Sequence, residues 1–180
     1  MSAPYPSLAI ANDFIRQFGG NDGIEHMKLQ KLMYFSYGWW LAEKGLSSVR
    51  LTHDKPQIWQ YGPVFHDLYH VLKVFGLRPI SEMQSASPFK SPDTINDDDT
   101  ETKGMIEWVW KRYGHLTSFA LSELTHEPGT SWHRIATEKN FLVDPNTPIP
   151  DKYILDEFSS LMNSPYASNT TYANSEVAAA

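Results

Sequence analysis

The chain has 180 residues and a formal charge of −6, from 15 basic and 21 acidic side chains, and it has no cysteine. That length suits one domain with a filled core. Nothing gathers Lys and Arg into a stripe that would follow a phosphate backbone, which argues against nucleic acid as the main partner. The lack of cysteine excludes disulfides and thiolate chemistry. No apolar run approaches the roughly 20 residues of a membrane span, and Met1 to Ser7 has neither the basic start nor the apolar core of an export signal, so a cytoplasmic location is expected.

Pro6 and Ser7 open a first predicted helix, with Ser7 as its cap; Gly19 and Gly20 stop it after Phe18, and Leu8, Ala11, Phe14, Ile15 and Phe18 recur at helical spacing. From Lys28 to Ala42 the chain reads as a helix that is apolar nearly all the way round. Leu29, Leu32, Met33, Ser36 and Trp40 form one face, Phe35, Gly38 and Ala42 another, and Gly45 supplies the stop. Such a helix belongs at the centre of a domain. Glycine inside a helix costs about 1 kcal/mol relative to alanine. Gly38, one turn from Ala42, therefore predicts a shallow groove where another helix packs closely, the first being the candidate; the alternative is that it only makes room for Trp39 or Trp40.

Leu46 to Thr52 and Lys55 to Tyr61 are short and lean towards β around His53 and Asp54, which predicts a small hairpin. Pro63 suits the first turn of a helix whose apolar stripe is Val64, Leu68, Val71, Leu72 and Phe75, ending at Gly76. Ser81 to Asn96 lacks periodicity and reads as a long loop, either mobile or a functional flap. Asp97, Asp98 and Asp99 fit a helix start better than a metal site, because three consecutive side chains point in different directions. The helix they open runs to Tyr113, with Ile106, Val109, Trp110 and Tyr113 facing inward. Thr117 caps the next as far as Thr125, Pro128 and Gly129 turn the chain, and helices around Trp132 to Thr137 and Asp151 to Met162 follow. The expected fold is mainly α: a compact helical domain over 5–162 around one central buried aromatic helix with a small β-hairpin, then a disordered tail over 163–180.

On the helix after Pro63, the face opposite the stripe carries His66, Tyr69, His70 and Lys73 at i, i+3, i+4 and i+7. Two histidines four apart match helical zinc sites, and His66-Asp67-Leu68-Tyr69-His70 imitates a zincin motif with Asp in place of Glu. A third ligand is not evident, however, and the shorter carboxylate would reach a metal-bound water poorly. A partner-binding stripe is favoured over a metal-dependent enzyme, although each residue taken alone fits a merely solvated face better still. His126 and His133 flank Trp132, yet no nucleophile or second carboxylate accompanies them, so His126 is expected to bond a backbone carbonyl at the end of its helix. No catalytic residue, metal or cofactor is assigned. Trp59, Tyr61, Gly62, Pro63 and Tyr69 place three large amphipathic rings around a rigid turn, which suits an interface, although Trp59 or Tyr61 alone would also fit the domain's own core.

The order Lys28-Leu29-Gln30-Lys31, aromatic pair, Gly38-Trp39, Leu41-Ala42 resembles the opening of the Panacea domain, the SocA-like antitoxin family. Ile58-Trp59-Gln60-Tyr61-Gly62-Pro63-Val64 looks like its Trp-x-Tyr-Gly-Pro-Val motif, with Leu68-Tyr69-His70, Lys73 and Gly76 as the helix that follows. Leu121-Ser122-Glu123-Leu124-Thr125-His126-Glu127-Pro128-Gly129 with Trp132 resembles the closing block. The resemblance covers roughly residues 5 to 137; the chain departs from it at His66 and Ser131, where the family pattern carries proline. It implies an antitoxin that binds a cognate toxin protein, or that delivers the toxin to the Clp protease as SocA-like members do. Under it the partner-binding residues are Trp59, Tyr61, Gly62, Pro63, Tyr69, His70 and Lys73. The terminal Val177-Ala178-Ala179-Ala180 resembles the small apolar ends that Clp-type unfoldases grasp. The alternatives are the enzyme with a metal on His66 and His70, and a phage accessory protein that turns the same fold on a host protein.

Overall fold

The computed structural model describes residues 3 to 164. In chain order it forms α1 (Ser7–Phe14), continued by a π turn (Ile15–Gly19), α2 (His26–Lys44), β1 (Pro56–Trp59), β2 (Gly62–Phe65) and α3 (His66–Leu72), which tightens into a 3-10 turn (Lys73–Phe75). Then come α4 (Thr100–Tyr113), α5 (Ser118–His126), α6 (Ser131–Glu138) and α7 (Asp151–Met162). The architecture is the mainly α one expected, with a single two-stranded antiparallel sheet among the described residues. Most of the predicted tail, 165–180, lies outside the described residues.

α2 is the axis of the molecule. Every residue from Leu29 to Leu41 is buried, and α1, α4, α5, α7 and β2 all pack around it. A helix with no solvent face must satisfy its polar atoms inside the protein. The Tyr34 hydroxyl donates to Glu157 on α7 at 2.6 Å and lies 2.6 Å from the Ser131 hydroxyl at the start of α6. Tyr37 donates to Asp151 at 2.9 Å, and the Trp39 indole donates to Tyr113 on α4 at 3.0 Å. The Ser131 amide also donates to Glu157 at 2.8 Å, a bond that proline at this position could not make. The departure from the family pattern before Trp132 is thus tied to a buried carboxylate.

Gly38 is a point of close approach, but its partner is α7 and not α1: a Cβ built there would fall under 3.0 Å from three ring atoms of Phe158. The Phe158 ring sits edge-on to Tyr34, Phe35 and Trp39, which fixes it over the glycine. The predicted caps of α4 and α5 are present, with Asp99 accepting from the Thr102 amide at 3.0 Å and Thr117 from the Ala120 amide at 3.1 Å. Ser7 does not cap α1; its hydroxyl donates to Asp54 at 2.8 Å instead. The irregular 81–96 segment is pinned at two points, since buried Asn12 donates to the carbonyls of Gln84 and Asp93 and accepts from the Gln84 amide.

The hairpin lies later in the chain than predicted. β1 pairs with β2 through Ile58 opposite Pro63 and Trp59 opposite Gly62, so Gln60 and Tyr61 form the turn and Pro63 belongs to a strand rather than to the first turn of α3. Proline is tolerated because Pro63 stands at a pair whose amides face away from the partner strand: the Ile58 amide points outward to Thr147 O at 2.9 Å, and the Pro63 carbonyl outward to Lys31.

Candidate functional site

The hairpin turn is held in place by side chains from three helices. From α2, Gln30 exchanges two hydrogen bonds with the Phe65 backbone, its Oε1 accepting from the amide at 2.8 Å and its Nε2 donating to the carbonyl at 3.3 Å. One turn of helix thereby stands in for a third strand along β2. Lys31 donates to the Pro63 carbonyl at 3.0 Å. From α5, Ser122 donates to the Tyr61 carbonyl at 2.8 Å. The His126 ring nitrogens stand 2.6 Å from Ser122 O and 3.0 Å from Gln60 O, so the expected carbonyl bond is present. From α6, the Trp132 indole donates to the Trp59 carbonyl at 2.7 Å, with its ring 3.9 Å from that of His126. Backbone carbonyls of Trp59, Tyr61 and Pro63 therefore accept from side chains of three separate helices, and the His126 ring stands against a fourth, that of Gln60.

Gly62 makes this arrangement possible. Its φ of +96° is left-handed, and an added Cβ would come under 3.0 Å from Thr125 Oγ1 and Lys31 Nζ. Gly45 also has a positive φ, but a Cβ there meets nothing within 4 Å, so it controls for backbone strain alone. Urea denaturation is expected to show Gly62→Ala about 1–3 kcal/mol less stable than Gly45→Ala, the steric share of the substitution; equal losses would mean that the packing around the turn yields freely.

Lys31 is only 1% exposed, and burial pulls its ammonium down to about pKa 7 with no countercharge acting on it. His26, one turn before Gln30 on the same helix, is pulled down to about 4 by burial and by the neighbouring Lys31 charge. Its ring lies 5.3 Å from that of Tyr69, which also meets Trp59 at 4.7 Å. A neutral imidazole at this spot lets the Trp59–Tyr69 pair rest on an uncharged base.

Of the residues singled out by sequence, Tyr61 is the most exposed ring, at 67%, on the tip of the turn. Trp59 and Tyr69 are half-buried against each other, and His70 and Lys73 are exposed on the adjoining face of α3. Gly62 and Pro63 are buried and shape the turn without reaching the surface. Along α3 and the 3-10 turn that continues it, Lys73 Nζ lies 3.2 Å from His70 Nδ1, His70 Nε2 lies 3.0 Å from His66 Nε2, and His66 Nδ1 lies 3.5 Å from Asp67 Oδ1. These contacts string Lys73, His70, His66 and Asp67 into one row on the exposed side of the helix.

Sequence reasoning missed the other side of Trp59. There a groove of about 430 Å³ is lined by Trp59, Trp132, Phe141, Val143 and Pro145. Phe141 is 63% exposed and follows Asn140 in the left-handed region, with φ of +60° and +50°. An exposed aromatic residue held at positive φ carries strain of the kind found at functional sites. No helical or β periodicity marks this segment, so only the isolated Phe141-Leu142-Val143 run in a polar stretch could have drawn attention to it. Among the described residues no group of three side chains suited to holding a metal ion occurs, and no helix is long and apolar enough to cross a membrane.

The fold and the site define a class: a mainly α domain built on one fully buried aromatic helix, with a side-chain-clamped hairpin turn displayed at its surface. The chain belongs to the antitoxin SocA-like, Panacea domain family, whose model matches residues 29–133 and so takes in Gln30, Lys31, the hairpin, α3 and the clamping residues of α5 and α6. It is 27% identical over 154 residues to a protein named Antitoxin SocA from Caulobacter vibrioides (strain NA1000 / CB15N), an alignment covering 83% of this chain and 80% of the relative. No solved structure matches the chain.

Proposed function

We propose that the chain neutralises a toxin protein by direct contact, as a binding protein without catalysis, through the surface centred on Tyr61. The observation that carries this reading is an exposed ring on a turn whose backbone is fixed by Lys31, Ser122, His126 and Trp132. A ring on a fixed backbone loses less conformational freedom on binding than one on a mobile loop, and such rings dominate interface energetics. Trp59 on β1, Tyr69 and His70 on α3 and Lys73 in the turn after it extend the contact, while Gly62 and Pro63 set the angle at which Tyr61 is presented. The family membership and the relative named as an antitoxin support a toxin as the partner.

The test is capture of the protein encoded by the reading frame beside this one. Tyr61→Ala combined with His70→Ala is expected to weaken capture at least tenfold, with the melting temperature nearly unchanged because both side chains are exposed. Undiminished capture would refute the assignment. Delivery to the Clp protease is a second arm of the proposal. In cells lacking that protease, a toxin that persists but stays inhibited marks neutralisation by contact, whereas restored toxicity marks delivery.

A further inference from the structure

We propose that His66 and His70 form a two-histidine chelating site for a divalent transition ion such as Ni²⁺, Cu²⁺ or Zn²⁺. The two Nε2 atoms are 3.0 Å apart on successive turns of α3, with ring planes crossing at 63° and centroids 4.3 Å apart. Two imidazole nitrogens bound at about 2.0–2.1 Å to one ion lie about 2.9 Å apart when the angle at the metal is a right angle and about 3.3 Å apart when it is tetrahedral. The observed spacing falls between these values, so an ion can bridge the pair with little rearrangement of the helix.

The surroundings suit that role. Asp67 Oδ1 stands 3.5 Å from His66 Nδ1, on the ring nitrogen away from the proposed ion, where a carboxylate orients a ligating histidine and favours its metal-binding tautomer. Lys73 works against the ion: its ammonium lies 3.2 Å from His70 Nδ1, which must carry the proton once Nε2 is ligated. Imidazole donors select ions of borderline softness over Mg²⁺ or Ca²⁺, and with two protein ligands the other coordination positions are taken by water in the isolated chain.

Calorimetric titration of the full, tag-free chain with Ni²⁺ and Zn²⁺ tests the site without any partner, so its outcome is independent of the toxin reading. One ion per chain is expected, with affinity falling roughly tenfold or more in His66→Ala and in His70→Ala and rising several-fold in Lys73→Gln. Circular dichroism melts confirm that each variant is folded. Binding that survives both histidine substitutions, that Mg²⁺ matches, that fails in the folded wild-type chain, or that does not tighten in Lys73→Gln overturns the proposal.

Discussion

Gly38→Ala is expected to destabilise the protein by about 2–3 kcal/mol or more, even though alanine is the better helix former by about 1 kcal/mol. The added methyl falls on the Phe158 ring, and that ring cannot swing aside because Tyr34, Phe35 and Trp39 meet it edge-on. Either α7 moves outward or Phe158 leaves its rotamer, and moving α7 would stretch the buried Tyr34–Glu157 bond and the partly buried Tyr37–Asp151 bond. Phe158→Ala alone is expected to cost about 3–5 kcal/mol through the cavity it leaves. In the double variant the Gly38→Ala methyl occupies part of that cavity, so the combined loss should be clearly smaller than the sum of the two single losses. Urea denaturation of all four proteins checks this; additive losses would show that the two residues do not touch.

Raising the pH from 7 to about 9 is expected to stabilise the protein, and Lys31→Met is expected to remove most of that gain. The unfolded chain keeps the Lys31 proton up to its ordinary pKa of 10.5, while the folded chain releases it near 7. Between those values unfolding takes up a proton, so stability climbs with pH by up to about 1.4 kcal/mol per pH unit, about 5 kcal/mol across the whole window. Measurements belong below pH 10, because Tyr5, Tyr34, Tyr37 and Tyr113 all hold their protons more tightly in the fold than in the unfolded chain and reverse the trend above it. Wild-type and Lys31→Met proteins with the same pH slope in urea denaturation would assign the effect elsewhere.

The central helix was legible because burial on every side leaves a compositional trace: a run from Leu29 to Leu41 with one charge, at Lys31, is improbable at a surface. The helix ends at Asp99, Thr117 and Gly45 were legible because caps and stops act locally. The hairpin was misplaced because its register depends on residues far away. Gly62 to Phe65 is extended since Gln30 and Lys31 bond its outer edge, and no local propensity records that. The partner of Gly38 was missed for the same reason, as the small residue announces a close approach without naming what approaches. Of the candidate surface, the rings and imidazoles on either side of the turn were evident from spacing. The groove beside Trp132 was not, because the loop that carries Phe141 has no repeating pattern.

The bonds around the hairpin turn also bear on the order in which its shape is set during synthesis. Residues 56 to 65 leave the ribosome long before Ser122, His126 and Trp132, and Glu157 and Phe158 follow later still. A nascent chain that has emerged only as far as α4 carries every ring of the displayed turn but lacks three of the side chains that fix its backbone. The geometry of the turn therefore depends on residues made after it, and a chain that stops before α5 would carry the same tip residues without three of the side chains that hold their backbone in place.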